Sequence, residues 1–288
     1  MSVYHGFTAK QLAVEYSPSS CVDDINVFIQ QYIDMSASTK SSAIASQTVI
    51  ADLSYDKAPA QVLDLYIPTV REQKKLQVYI HGGYWQELSK EESSFAAHNF
   101  QSHGVHFAVL NYTLAPHASI TEIVAECAKA ITWLYENAEE YGYYANEIYL
   151  SGSSAGAHLA TMVALNAAIP IKGVCAVSGI YDLTPIKYTY INDPLQLTST
   201  EIAKNSPLFH LAHWPKNCDC LLAYGDNETS EFKRQTAEFH HQLKRQGFHT
   251  ALYEITARNH FNVILDLADK NSVLFQQMLR QMNIYETA

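Results

Sequence analysis

The chain has 288 residues, of which 48% are hydrophobic and 17% charged, with a formal net charge of −10. That balance belongs to a globular protein with a sizeable core and excludes a disordered or fibrous one. An acidic chain with no run of Lys or Arg longer than two also argues against a nucleic-acid surface.

Residues 1–47 form a polar, serine-rich segment. Within it, Ile25, Val27, Phe28, Ile29 and Tyr32 follow a loose helical spacing, and Thr39 to Ser46 reads as a loop. Strand patterns follow. Residues 61–67 alternate, 76–80 form a short apolar run ending in His81-Gly82-Gly83, and 105–110 form another. Ile120, Ile123, Val124, Cys127, Ile131 and Leu134 recur at helical spacing. A strand up to Leu150 then leads into Gly152-Ser153-Ser154-Ala155-Gly156 and a helix from Ala155 to Ala168. Further strands are expected at 171–177, 220–224 and 250–255, with helices carrying Phe232, Phe239 and Leu243 and, last, Val273 to Met282.

Strands alternating with helices predict an α/β fold, one domain over 1–288 built on a mostly parallel twisted sheet covered on both faces. The stretch 182–214, with Pro185, Pro194 and Pro207, breaks the rhythm. It is long for a connection, so with the 1–47 segment it is expected to form a small lid over the site.

Five cysteines, Cys21, Cys127, Cys175, Cys218 and Cys220, include no C-x-x-C pair. Free buried thiols in a reducing, cytoplasmic compartment are expected, with no metal site. The first residues lack the basic start and apolar core of a secretory signal, and no apolar stretch nears the ~20 residues of a membrane span.

The G-x-S-x-G between strand and helix has the context of a nucleophile elbow, with Ser154 held at the helix N-terminus. A serine hydroxyl needs a base, and the base an orienting carboxylate. In chain order these are expected at Asp226, after the strand and glycine of 221–225, and at His260, after the last strand. Asp219 sits at the wrong end of its strand, and Asp182 is the other alternative acid. His240 and His241 fall on a helix, and His249 opens a strand. Backbone donors for an oxyanion are expected among Gly82, Gly83 and Tyr84, together with Ala155. His81 is expected to brace that loop. Such a site needs no cofactor, and activity is expected to fall below about pH 6.5, where histidine titrates in isolation.

His81-Gly82-Gly83-Tyr84-Trp85-Gln86 resembles the oxyanion motif of the kynurenine formamidases (arylformamidases), α/β-hydrolases related to the hormone-sensitive-lipase-like esterases, which usually carry a third glycine at Tyr84. The resemblance continues through residues 154–160, 178–183, 192–195, 205–208 and 231–235 to His260-Phe261. It is weak over the first 50 residues. Ser153, where many relatives have histidine, and Asn259, where aspartate is common, depart from the pattern. The resemblance implies a triad of Ser154, Asp226 and His260. It also implies hydrolysis of N-formyl-L-kynurenine to L-kynurenine and formate. A flat aromatic leaving group wants an apolar wall, expected from Trp85, Tyr181 and Phe261. The rival readings are a carboxylesterase of short acyl esters and a non-catalytic binding protein on the same scaffold. The expected partner is a small aromatic formamide, with no nucleic acid and no membrane. A homodimer is compatible with the chain. Arg258 and Lys187 are the candidates for holding a substrate carboxylate.

Overall fold

A computed structural model describes residues 2–70 and 72–285. Its eight strands are β1 (Val49–Ser54), β2 (Val62–Tyr66), β3 (Leu76–Ile80), β4 (His106–Leu110), β5 (Ile148–Ser153), β6 (Gly173–Val177), β7 (Asp219–Asn227) and β8 (Thr250–Asn259). They form one sheet in the order β1-β2-β4-β3-β5-β6-β7-β8. The β1–β2 and β2–β4 pairs are antiparallel, and the remaining pairs are parallel. The central strands β3, β4, β5 and β6 are buried along their whole length, as a sheet covered on both faces requires.

The helices are α1 (Ala9–Glu15), α2 (Asn26–Ala45), α3 (Ala97–Ser102), α4 (Ile120–Glu136), α5 (Ala138–Tyr141), α6 (Ala155–Asn166), α7 (Asn192–Leu195), α8 (Ser199–Asn205), α9 (Ser230–Arg245) and α10 (Val273–Gln281). The period-2 alternation of the strands splits the core in two. Leu76, Val78 and Ile80 of β3 face a cluster with α4, α6 and α9, whereas Tyr79 faces α2, α3 and α10. Helix α4 begins where its sequence says it should. The Ser119 hydroxyl accepts from the Glu122 N–H, and the Glu122 carboxylate returns to the Ser119 N–H, closing a capping box.

One stretch differs from the sequence reading. Residues 39–45 are the last turns of α2, not a loop. Ser and Thr are weak helix formers, so the local signal is poor. Tertiary contacts override it. Lys40 pairs with the buried Asp64 of β2 at 2.9 Å, Asp64 also meets Lys90 at 2.9 Å, and the Ser36 hydroxyl accepts from the Ser94 N–H at 3.1 Å. The 182–214 segment carries short helical turns whose Ile186, Leu195, Leu197, Ile202, Leu211 and Trp214 are buried in the main core. Its Asn205 is tied to α4 through the Thr121 hydroxyl at 2.8 Å and to α6 through His158 Nε2 at 2.7 Å. Tyr190 and Ile191 are its contribution to the cavity described below.

Candidate active site

The carboxyl ends of β3, β5, β6, β7 and β8 converge at one edge of the sheet, the usual place for a site on a parallel sheet. The elbow lies at the end of β5. Ser154 has φ 58° and ψ −120°, left-handed backbone that costs about 1–3 kcal/mol for a residue with a side chain. Its N–H donates to the Val177 carbonyl at 2.8 Å, which holds the turn against β6. Glycine is obligatory on either side. A Cβ on Gly152 would lie 2.4 Å from the Gly156 carbonyl carbon, and one on Gly156 would lie 2.1 Å from the Ile80 carbonyl oxygen.

The loop after β3 crosses directly above the elbow, where a Cβ on Gly82 would meet the Ser153 carbonyl oxygen at 2.7 Å. Gly83, Tyr84 and Trp85 all have positive φ, at 88°, 49° and 63°. The N–H groups of Gln86 and Glu87 both return to the Gly83 carbonyl at 2.9 Å. The N–H groups of Gly83, Tyr84 and Ala155 meet no acceptor among the described residues, so they remain available to an oxyanion. His81 braces the loop as expected. Its Nδ1 lies 3.0 Å from the Gly82 carbonyl, its ring stacks on Tyr112 at 4.2 Å, and the Tyr112 hydroxyl donates to its carbonyl at 2.9 Å. Burial pushes the His81 imidazole down to about 4, so it stays neutral.

The structure corrects the acid. The carboxylate facing His260 is Glu228, whose Oε2 accepts from His260 Nδ1 at 2.9 Å. Its Oε1 accepts from the Ser178 hydroxyl and from the Gly225 N–H, both at 2.6 Å, and the side chain is fully buried. Asp226 is exposed instead. It is still inside β7, where its Oδ1 accepts the Arg258 N–H of β8 at 3.2 Å. Backbone N–H groups of Ala257 and Arg258 hold its carboxyl below the usual range. The reason is strand length. β7 runs two residues past Gly225, through a register irregularity against β8, so the first side chain free to swing back over the sheet edge is Glu228. Asp182, the other alternative, accepts from the Tyr4 hydroxyl at 2.9 Å and the Thr184 N–H at 2.8 Å, and Asp219 opens β7 at the far end. Ser178, whose φ is 50°, directly follows β6 and opens the 178–183 stretch that carries the family resemblance.

Ser154 and His260 line the same cavity of about 240 Å³, with Gly82, Gly83 and Tyr84 on its floor and Phe261 in its wall. Ligand pockets commonly run ~300–1,000 Å³, so this one suits a small substrate. With Nδ1 on Glu228, the His260 Nε2 is the nitrogen without a protein partner among the described residues. The ring packs on Phe232 at 4.4 Å. The Tyr32 hydroxyl of α2 donates to the Phe261 carbonyl and pins the histidine loop from the N-terminal side. Pro18, Ser19, Ile25 and Ile29 complete that wall. Ser153 also lines the cavity.

Two expected wall residues lie elsewhere. Trp85 is fully buried and donates from Nε1 to His158 Nδ1 at 3.2 Å, with the rings edge-on at 5.0 Å. His158 is pushed down to about 4 by burial, and passes the connection on from Nε2 to the Asn205 carbonyl. Trp85 therefore anchors the loop into α6. Tyr181 is fully buried and stacks on Phe239 of α9 at 4.2 Å. Arg258 pairs with Asp266 at 2.7 Å, Lys187 lies 3.4 Å from the Ser199 hydroxyl, and neither lines the cavity. Among the described residues no group of three or more His, Cys, Asp or Glu side chains is placed to hold a metal ion. No helix among them is long and apolar enough to cross a membrane.

A doubly covered, mostly parallel sheet with a serine elbow after β5 and a histidine after β8 is the α/β-hydrolase fold. A crystal structure described as that of a putative thioesterase, from Silicibacter sp. TM1040, shares that fold with a TM-score of 0.81 at 24% identity, covering 92% of this chain and 98% of the other. The BD-FAE family model matches residues 63–243. The kynurenine formamidases of Danio rerio and Salmo salar are each 32% identical to this chain, over 98% of its length and 99% of theirs. The chain belongs to the kynurenine formamidase family.

Proposed function

We propose that the protein hydrolyses the formamide of N-formyl-L-kynurenine to L-kynurenine and formate, through Ser154, His260 and Glu228. The observation that carries this reading is the carboxylate-backed imidazole opening on the same small cavity as the strained Ser154. The Ser154 oxygen attacks the formyl carbon as His260 Nε2 takes its proton, and Glu228 stabilises the imidazolium. The oxyanion forms against the N–H groups of Gly83, Tyr84 and Ala155. His260 then gives the proton to the departing aryl amine. A water, deprotonated by the same nitrogen, attacks the formyl-enzyme and releases formate.

A formyl group is the smallest acyl group, which fits the cramped floor between Gly82, Gly83 and the elbow. The apolar wall of Ile25, Ile29 and Phe261 takes the aromatic ring. The described lining carries no Lys or Arg, and its one carboxylate is Glu87. The substrate's α-carboxylate therefore stays in water, with its ammonium toward Glu87. A cytoplasmic location is part of the same reading, supported by five free cysteines.

The test is a side-by-side measurement of kcat/KM on N-formyl-L-kynurenine, formanilide and a p-nitrophenyl ester, with Ser154→Ala as control. The formylated aryl amines should lead, and the control should lose roughly a millionfold. An ester preference of orders of magnitude would replace this reading with that of a carboxylesterase. An active control would remove Ser154 as nucleophile.

A further inference from the structure

We propose that the N-terminal segment is a working part of the oxyanion hole: the hydrogen bond from the Tyr84 hydroxyl to the Tyr16 carbonyl, 2.5 Å long, fixes the peptide whose N–H receives the oxyanion. This rests on the acyl-transfer reading above and names a positioning device for the same site.

The Tyr84 backbone needs holding. Its φ of 49° sits between the positive φ values of Gly83 and Trp85, a conformation a tyrosine reaches only when its surroundings impose it. Trp85 is fastened from below by His158. Tyr84 is fastened from above, by its own side chain. Burial pushes the phenol well above its ordinary range, so it remains a donor at every working pH.

The carbonyl that receives it is a fixed point. The Tyr16 ring is fully buried, and its hydroxyl donates to Glu231 Oε2 at 2.9 Å and accepts from Gln235 Nε2 at 2.6 Å. Gln235 Oε1 in turn takes the N–H groups of Tyr181 and Asp182 at 2.7 and 2.8 Å. The neighbouring Glu15 carboxylate meets the Ser230 hydroxyl at 2.8 Å and the Glu231 N–H at 3.1 Å, at the start of α9. The Glu231-to-Gln235 motif thus lies outside the chemistry and serves as the mooring of this strap. Two residues further on, Pro18 and Ser19 reach the cavity. One short segment thereby both shapes the pocket and sets the donor.

Losing an oxyanion donor outright costs about 100- to 1,000-fold in turnover, so loosening one should cost about 10- to 100-fold. The experiment compares wild type, Tyr84→Phe and Tyr16→Phe on formanilide and on a p-nitrophenyl ester, with affinities for an aryl boronic acid and for the product amine. For Tyr84→Phe, kcat should fall about 10- to 100-fold on whichever substrate the wild type uses, with KM within about threefold. The boronate, which forms the tetrahedral adduct, should weaken by a similar factor while product affinity stays unchanged. Tyr16→Phe, which keeps the carbonyl but unmoors it, should move the same quantities less. Unchanged kcat in Tyr84→Phe, or equal losses of boronate and product affinity, would overturn the proposal. A wild type active on the ester alone would overturn the formamidase reading and still decide this one.

Discussion

The position of the acid can be tested by two isosteric substitutions. In Glu228 both oxygens are engaged, Oε1 by two donors and Oε2 by His260 Nδ1. Glu228→Gln must place its NH2 against one of them. The less costly choice is the Oε2 position, which faces a single donor. His260 Nδ1 must then become the acceptor, which moves the ring proton to Nε2 and removes the base proposed for Ser154. A misplaced tautomer of this kind costs about 10,000-fold in kcat in the serine-protease triad, or about 5 kcal/mol of transition-state stabilisation. We therefore expect a loss of roughly 1,000- to 10,000-fold in Glu228→Gln. Asp226→Asn keeps an Oδ1 that accepts from the exposed Arg258 N–H, so its kcat/KM should stay within about threefold. Both are measured on formanilide at neutral pH, with thermal unfolding to confirm folding. A folded Glu228→Gln of near-normal activity, or an Asp226→Asn as crippled as the Ser154 variant, would refute the assignment.

The burial of Trp85 separates stability from binding. Trp85→Phe strands His158 Nδ1 in the core, which should cost about 1–3 kcal/mol in stability and lower Tm by several degrees, with KM little changed. Phe261→Ala, in the cavity wall, should raise KM for aromatic formamides about 3- to 10-fold with a smaller effect on Tm. The buried His81 and His158 predict a pH dependence of stability. Their folded-state values, about 4, lie below the unfolded 6.5, so the unfolded chain binds more protons between those limits. Stability should therefore fall as pH drops from about 6.5 to 4, by roughly 3 kcal/mol per ring over the full window. Urea unfolding across that range checks it, and His81→Asn or His158→Asn should flatten the slope. A stability curve level down to pH 4 would contradict the burial of both rings.

What depends on near neighbours can be read directly from the order of the residues. An apolar strand, two glycines around a serine and a helix behind them leave one backbone solution, because any side chain at Gly152 or Gly156 collides with backbone. The alternation of strands and helices likewise set the layered sheet, and a histidine just past the last strand fell at the sheet edge where Ser154 lies. Whatever turns on reach and packing was settled by contacts between distant segments. Two extra residues of pairing in β7 moved the acid from Asp226 to Glu228. A positive φ at Trp85 anchored its ring under the loop instead of beside a substrate, and α9 covered Tyr181. A serine-rich stretch with little helical preference became the end of α2 because Lys40 pairs with Asp64 of β2 and Ser36, one turn earlier, accepts from the Ser94 N–H. Local patterns fix where the chain turns. Which side chain meets which depends on register and on distant segments such as Tyr16 and Tyr84, whose contact spans 68 residues.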